Sequence, residues 1–452
     1  MQDNYAKVGD LFNIEKGLVQ SSKNIEGEYN FITASSEWKT HYEYSHNCEA
    51  LVFAMGAAGS LGRTHYVKGK FIASDLCFVL TPKAKYINDI DLKFYYHLFN
   101  LNREEIVKKT ATGTSKLAIN MRNFSNLEIP YLSLEKQKEA RELIEKIHTQ
   151  IDYLTFLAKE NITFIEKLRH SFLLKAIQGE LVQQDPNDEP ASVLIEKINA
   201  LKEYLINQKI IKKEKHLPEI REDEVPYDLP NGWKWVRLGE ITQFQGGYAF
   251  KSDTYVEHSN NQLIRLGNVK NNQLLLDVSP VFIPDNIAIE SEAFRIKEND
   301  ILITMTGTRG KRDYFYTCLV QELDENKKLF LNQRVGCLRS YYKVNSKLLN
   351  IFLKSTPLLD MIFETETGTA NQGNIGAGAI SNLLFPLPPL KEQERIVEKV
   401  DRLMNLCDDL ERAVEQSLRE GKLLLKSILK EVFEKSKEDV VNVVSLALHK
   451  NR

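Results

Sequence analysis

Arg309, Lys311 and Arg312 place three cations within four residues of a glycine-punctuated turn, Thr306-Gly307-Thr308-Arg309-Gly310-Lys311-Arg312. Charge at that density favours an anionic partner over a merely solvated turn, and a guanidinium fork suits a phosphate or a guanine edge. Met55-Gly56-Ala57-Ala58-Gly59-Ser60-Leu61-Gly62-Arg63-Thr64-His65 is of the same kind. Its small residues, Gly59 and Ser60 among them, let backbone approach a phosphate, with Arg63 and Thr64 beside them. The plain alternative is a glycine-rich hairpin turn. Two polar loops add Thr112-Gly113-Thr114-Ser115-Lys116 and Thr367-Gly368-Thr369-Ala370-Asn371-Gln372. Lys116 suits phosphate, and Asn371 and Gln372 carry the amides that read an adenine edge, unless these side chains satisfy their own backbone. Lys251, after Gly246-Gly247-Tyr248, is a further backbone candidate. The candidate contacts for an anionic partner are therefore Gly59, Ser60, Arg63, Thr64, Thr114, Ser115, Lys116, Lys251, Thr308, Arg309, Lys311, Arg312, Asn371 and Gln372.

Residues for covalent chemistry are missing. An adenine methylase needs a D/N-P-P-Y/F loop to hold an extruded base, and none occurs. Gly69-Lys70 runs into Phe71 without the upstream glycine of a phosphate-binding loop. Asp75 with Asp91-Leu92-Lys93 echoes a nuclease arrangement only as chance matches do in a chain with 27% charged residues. His41, His46 and Cys48 lack a fourth metal ligand nearby. The expectation is no catalytic residue, no metal and no cofactor in this chain.

The elements that must position these loops occur twice. Ser125-Asn126-Leu127, Pro130, Leu134 and Gln137 return as Ser381-Asn382-Leu383, Pro386, Leu390 and Gln393, each later by 256 positions. Leu51-Val52-Phe53 before Gly59–Arg63 has its counterpart in Ile301-Leu302-Ile303 before Gly307–Arg312. A period this long is a duplicated domain, not a solenoid. The first copy mixes short β-rich runs (Ala50–Ala54, Phe71–Ala73, Cys77–Leu80) with a short helix over Asp91–Phe99. A helical period follows, with apolar residues three or four apart from Leu143 to Phe172 and again from Val400 to Val432. Helices of such length with one apolar stripe require a partner, so the two are expected to pair antiparallel. The expected core of the pair is Leu143, Ile147, Leu154, Ile165, Leu168, Phe172, Val400, Leu403, Leu410, Val414, Ile428 and Val432.

The fold class is therefore α+β, with two pseudo-repeated α/β globular domains separated by a long antiparallel two-helix coiled coil. The expected boundaries are a first domain over 1–132, a helix over 133–181 and a linker with a short helix and an exposed charged stretch over 182–232. A second domain over 233–385, a second helix over 386–436 and a tail over 437–452 complete the chain. The globular units would sit at opposite ends of a rod and face in opposite senses.

Net charge is −2, and the two globular segments are near neutral: 15 basic and 14 acidic residues over 1–130, 17 and 16 over 233–385. Any electrostatic footprint must come from local clusters. Five cysteines without a C-x-x-C pair, a polar start and no apolar run of about 18 residues suggest a soluble cytoplasmic protein.

Leu229-Pro230-Asn231-Gly232-Trp233-Lys234-Trp235-Val236-Arg237-Leu238-Gly239-Glu240-Ile241 resembles the opening of a target-recognition domain in specificity subunits of type I restriction-modification enzymes. Pro386-Leu387-Pro388-Pro389-Leu390-Lys391-Glu392-Gln393-Glu394-Arg395-Ile396 resembles that family's helix start. Leu173-Leu174-Lys175-Ala176-Ile177-Gln178-Gly179-Glu180-Leu181-Val182, with Asp185-Pro186-Asn187-Asp188-Glu189-Pro190-Ala191-Ser192, is similar to its central region. The resemblance runs over essentially the whole chain. The first helix start, Pro130-Tyr131-Leu132-Ser133-Leu134, lacks the double proline. What the resemblance implies is a non-catalytic subunit that reads a bipartite, asymmetric site on double-stranded DNA, one domain per half-site. Its helices would set the unread spacer and dock two methylase subunits that use S-adenosylmethionine. ATP and Mg would serve the translocase/nuclease subunits of the full complex. The rivals, a self-sufficient methylase or nuclease and a coiled-coil spacer between protein- or sugar-binding domains, are separable by S-adenosylmethionine binding and by binding to random duplex DNA.

Overall fold

The computed structural model describes residues 5–57, 59–113, 117–211, 216–324 and 326–434. It is α+β, as the patterning implies, and divides into two compact units. One takes in the chain up to Glu160 and from Val414 onward; the other is Asn161–Ala413.

In the first unit a six-stranded sheet runs in the order Phe12–Lys16, Cys77–Pro82, His46–Ala54, Thr64–Ala73, Tyr29–Ile32, Lys39–His41. Ala50–Ala54, the buried half of strand His46–Ala54, is apolar on both faces because both are covered. Alternation sends Leu51 and Phe53 into one core cluster and Ala50, Val52 and Ala54 into another. Leu92–Leu101 is a helix capped by Asp91, which accepts the N–H groups of Lys93 and Phe94, and it buries Phe94, Tyr95, Leu98 and Phe99 against the first cluster.

The second unit repeats the first four positions of that order as Thr242–Gly246, Val335–Ser340, Ile301–Thr304, Thr317–Leu319. It adds a parallel pair, Asn261–Ile264 with Lys328–Leu331. Each domain is closed at its neck by its first and last strands, Tyr5–Lys7 on Glu128–Pro130 and Lys234–Arg237 on Leu384–Leu387.

The segment expected as a linker is packed. Its helix Ala191–Asn207 buries Ala191, Leu194 and Ile198 in the core of the second unit beside Ala176, Ile177 and Trp233. Farther along, the Arg237 guanidinium bonds the carbonyls of Pro218 and Glu219 (both 3.2 Å) and the Glu224 carboxylate (2.6 Å), while the side chains of Glu219, Arg221, Glu222 and Asp223 are exposed as expected.

The long helices are Leu134–Ile177 and Leu390–Glu434, 44 and 45 residues, or about 66 Å at 1.5 Å per residue. The repeated glutamines explain how each joins its domain. Gln137 and Gln393 are fully buried. Gln137 Oε1 accepts the N–H of Asp91 (2.8 Å) and its Nε2 donates to the carbonyls of Leu132 and Asp89. Gln393 does the same with Asn345 (3.0 Å) and Pro388 (3.0 Å). Asp91 and Asn345 are themselves helix N-caps, so one buried amide clamps a cap to a long helix in each copy.

Within each unit the helix segments meet in antiparallel order. In the first, Leu143, Ile144, Ile147 and Ile151 pack on Leu425 and Ile428. In the second, Arg169 forks onto Asp408 (2.6 Å) and Glu411 (2.8 Å). Of the expected core residues, Ile147, Ile165 and Val400 are buried, and Leu143, Leu154, Leu168, Phe172, Leu403, Val414 and Ile428 are half-buried. Leu410 is a correction: it is 43% exposed. After buried Cys407 the seam advances four residues to Glu411, which takes Arg169, so polar contact replaces the leucine there. The side chain of Val432 lies outside the described residues. Ile144, fully buried, was not among the residues expected.

Candidate nucleic-acid interface

The two loops nominated in the second domain lie side by side. Strand Thr306–Gly307 leaves the central strand and pairs with Gln372–Asn374 of the hairpin Thr367–Asn374. The N–H of Ile375 donates to the carbonyl of Met305 at 2.9 Å. The turn is shaped by two carboxylates. Asp313 accepts the N–H of Thr308 at 2.7 Å, and these hydrogen bonds, with Lys311 nearby, hold its carboxyl below the usual range. Glu366 accepts the N–H of Gly310 at 3.1 Å and the hydroxyl of Tyr314 at 2.7 Å. Gly310 has φ +74°, in the left-handed region that glycine tolerates.

The three cations differ in engagement. Arg309 is exposed and gives one N–H to the carbonyl of Gly368 at 3.2 Å. Lys311 is exposed. Arg312 is exposed, pairs with Asp360 at 2.6 Å and lies 5.4 Å from the ring centroid of Phe363, so its guanidinium already has partners within its own domain. Thr308 is half-buried; Asn371 and Gln372 are exposed at the hairpin turn, as is Lys251 after Tyr248. Composition alone missed Arg334. It is exposed at φ +70° in the turn Asn332-Gln333-Arg334, and its carbonyl accepts the N–H of Met305 at 3.0 Å, beside the start of the basic loop. A polar tripeptide between two apolar strands was the available signal.

The first domain has the same scaffold and a different filling. Ile119 donates its N–H to the carbonyl of Met55 at 2.8 Å, bringing the hairpin of Ala111–Thr112 and Ala118–Ile119 beside the glycine-rich loop. Gly59 is exposed with φ +79°, and Ser60 is half-buried. Arg63 is turned inward, donating to the carbonyl of Ala34 (2.9 Å) and to Ser60 Oγ (3.2 Å). Arg103 holds the same loop by its carbonyls, Leu61 at 2.7 Å and Gly59 at 2.6 Å. Thr64 is a correction: it is 2% exposed with its N–H on Asn100, so no surface contact is open to it. Thr114, Ser115 and Lys116 lie outside the described residues.

The histidines weighed as metal ligands are engaged elsewhere, His41 with Asn24 (3.0 Å) and His46 with Glu15 (3.3 Å). Among the described residues no group of three His, Cys, Asp or Glu is placed to hold a metal ion, and no helix is long and apolar enough to cross a membrane.

Residues 4–163 and 230–420 match the sequence family described as the type I restriction modification DNA specificity domain. The chain is 36% identical over 251 residues to the type I restriction enzyme EcoAI specificity subunit of Escherichia coli, a match covering 54% of this chain and 41% of that one. It is 33% identical over 279 residues to the EcoEI specificity subunit of E. coli, covering 59% and 43%, so the chain spans less than half the length of these two relatives. With the EcoDI specificity subunit of E. coli the match is 21% over 433 residues, 94% of this chain and 87% of that one. The fold is similar to the crystal structure of the HsdS subunit from Thermoanaerobacter tengcongensis, with TM-score 0.55, 18% identity and coverage of 95% and 96%.

Proposed function

The chain belongs to the type I restriction-modification DNA specificity family, and from that membership we propose that it reads a bipartite, asymmetric site on double-stranded DNA, one globular domain per half-site. The carrying observation is the convergence within each domain of a loop after the central strand with a late polar hairpin, joined through Met55–Ile119 and Met305–Ile375. Equivalent scaffolds with different loop residues are what two different half-sites require. Gly59 and Ser60 in the first domain, and Lys251, Arg309, Lys311, Arg334, Asn371 and Gln372 in the second, are the contacts favoured by exposure and chemistry.

The long helices set the unread spacer and dock two methylase subunits. Tyr153, Phe156 and Leu157 on the first helix and Leu423 and Leu424 on the second are exposed apolar side chains available to partner helices. This chain is non-catalytic. S-adenosylmethionine acts in the methylase subunits, and ATP and Mg act in the translocase/nuclease subunits of a cytoplasmic complex. Replacing residues 233–385 with the corresponding domain of a relative should alter one half of the methylated site only. A change in both halves, or in neither, would overturn the one-domain-one-half reading.

A further inference from the structure

Glu366 is a carboxylate within a surface read as facing a polyanion, and its contacts give it a purpose. Its oxygens lie 3.1 and 3.4 Å from the N–H of Gly310 in the basic loop, and one accepts the Tyr314 hydroxyl at 2.7 Å. Glu366 itself precedes the hairpin strand Thr367–Thr369. Gly373, on the opposite hairpin strand, passes so close that a Cβ there would run into the Glu366 carboxylate and the Tyr314 hydroxyl. The acid thus joins two segments more than fifty residues apart: the turn bearing Arg309 and Lys311 with the buried Tyr314 at its base, and the hairpin bearing Asn371 and Gln372. The first domain fixes its loop by the opposite means, with Arg103 donating to loop carbonyls.

We propose that Glu366 is a positioning residue for sequence discrimination by the second domain, holding the basic turn and the amide-bearing hairpin in one register through Gly310, Tyr314 and the gap at Gly373. The proposal rests on the DNA-reading function above. The repulsion of one carboxylate is a diffuse cost shared by all sequences, whereas a turn free to shift relative to the hairpin loses the fixed geometry that base-edge contacts need. Removing Glu366 therefore lowers discrimination while leaving general attraction to DNA intact or slightly stronger.

The test is selection of binding duplexes from a randomised pool by the purified full chain. Wild type enriches a two-part consensus. Glu366→Ala flattens one part, lowering preference there by about tenfold, and leaves the other part unchanged. Glu366→Gln, which keeps an acceptor for Gly310 and Tyr314, restores it. Should Glu366→Ala fail to fold, Gly373→Ala displaces the carboxylate with a single methyl and should flatten the same part. An unchanged consensus in Glu366→Ala or Gly373→Ala overturns the proposal, as does equal loss in both parts. Absence of any consensus for wild type overturns the DNA reading itself.

Discussion

The guanidinium of Arg309 donates to the carbonyl of Gly368 at 3.2 Å, across 59 residues of sequence. One of its five N–H groups is thereby fixed to the hairpin, which aims the rest of the fork. We expect Arg309→Ala to cost about 1–3 kcal/mol on the selected site and to relax discrimination at one position. Lys311→Ala should weaken all duplexes alike and reduce the salt slope by about one. Arg312→Ala, whose pair with Asp360 is roughly half exposed, should move stability by under about 1 kcal/mol and leave the salt slope nearly unchanged. Titrations of cognate and random duplexes at several salt concentrations separate the three; equal effects of Arg309→Ala on both duplexes would remove it from base reading.

The helix seam makes a sharp contrast. Ile147 is 5% exposed and packs with Ile144 against Leu425 and Ile428, whereas Leu410 is 43% exposed. Ile147→Ala should destabilise by about 2–5 kcal/mol and Leu410→Ala by no more than about 0.5. Urea unfolding of the full chain measures both.

A pH effect follows from His97. Burial, with His148 acting in the same sense and Glu145 opposing, pushes its pKa down from the usual 6.5 to about 4. Between these values the unfolded chain binds a proton that the folded one does not, so stability is full above pH 6.5 and falls on acidification toward pH 4. The contribution is at most about 1.4 kcal/mol per pH unit. His97→Phe should flatten that part of the stability profile. A slope identical to wild type would show that His97 is not its source.

Deleting four residues after Ala158 and four after Val414 removes roughly 6 Å, close to one turn, from each helix. If the helices measure the spacer, the complex should prefer a site shorter by about two base pairs at roughly 3.4 Å per step. Methylation mapping reads this directly; an unchanged spacer in a folded, methylase-bound complex would deny the helices that role.

The duplication and the two helical stripes were legible because both are periodic, and periodicity is a property of sequence. Leu410 was misplaced because the choice between advancing three or four residues after Cys407 depends on Arg169, which belongs to the other helix. The basic turn was legible as a cluster of charge. That Arg312 faces Asp360, and that Thr64 is buried against Asn100, depends on partners 48 and 36 residues away. Gln137 and Gln393 were visible only as a repeat, since their bonds require knowing where Asp91 and Asn345 arrive.

Those two glutamines also bear on how such a chain diversifies. Each asks of its domain an amide N–H at the start of a capped helix, and its own Nε2 is satisfied by main-chain carbonyls. None of these bonds involves the loops that carry Gly59, Arg309 or Gln372. A domain with wholly different surface residues fits the same socket so long as its chain brings a cap to that point. The joint makes no demand on the residues a domain displays, so exchanging one domain for another that keeps this socket should leave the frame that holds it unchanged.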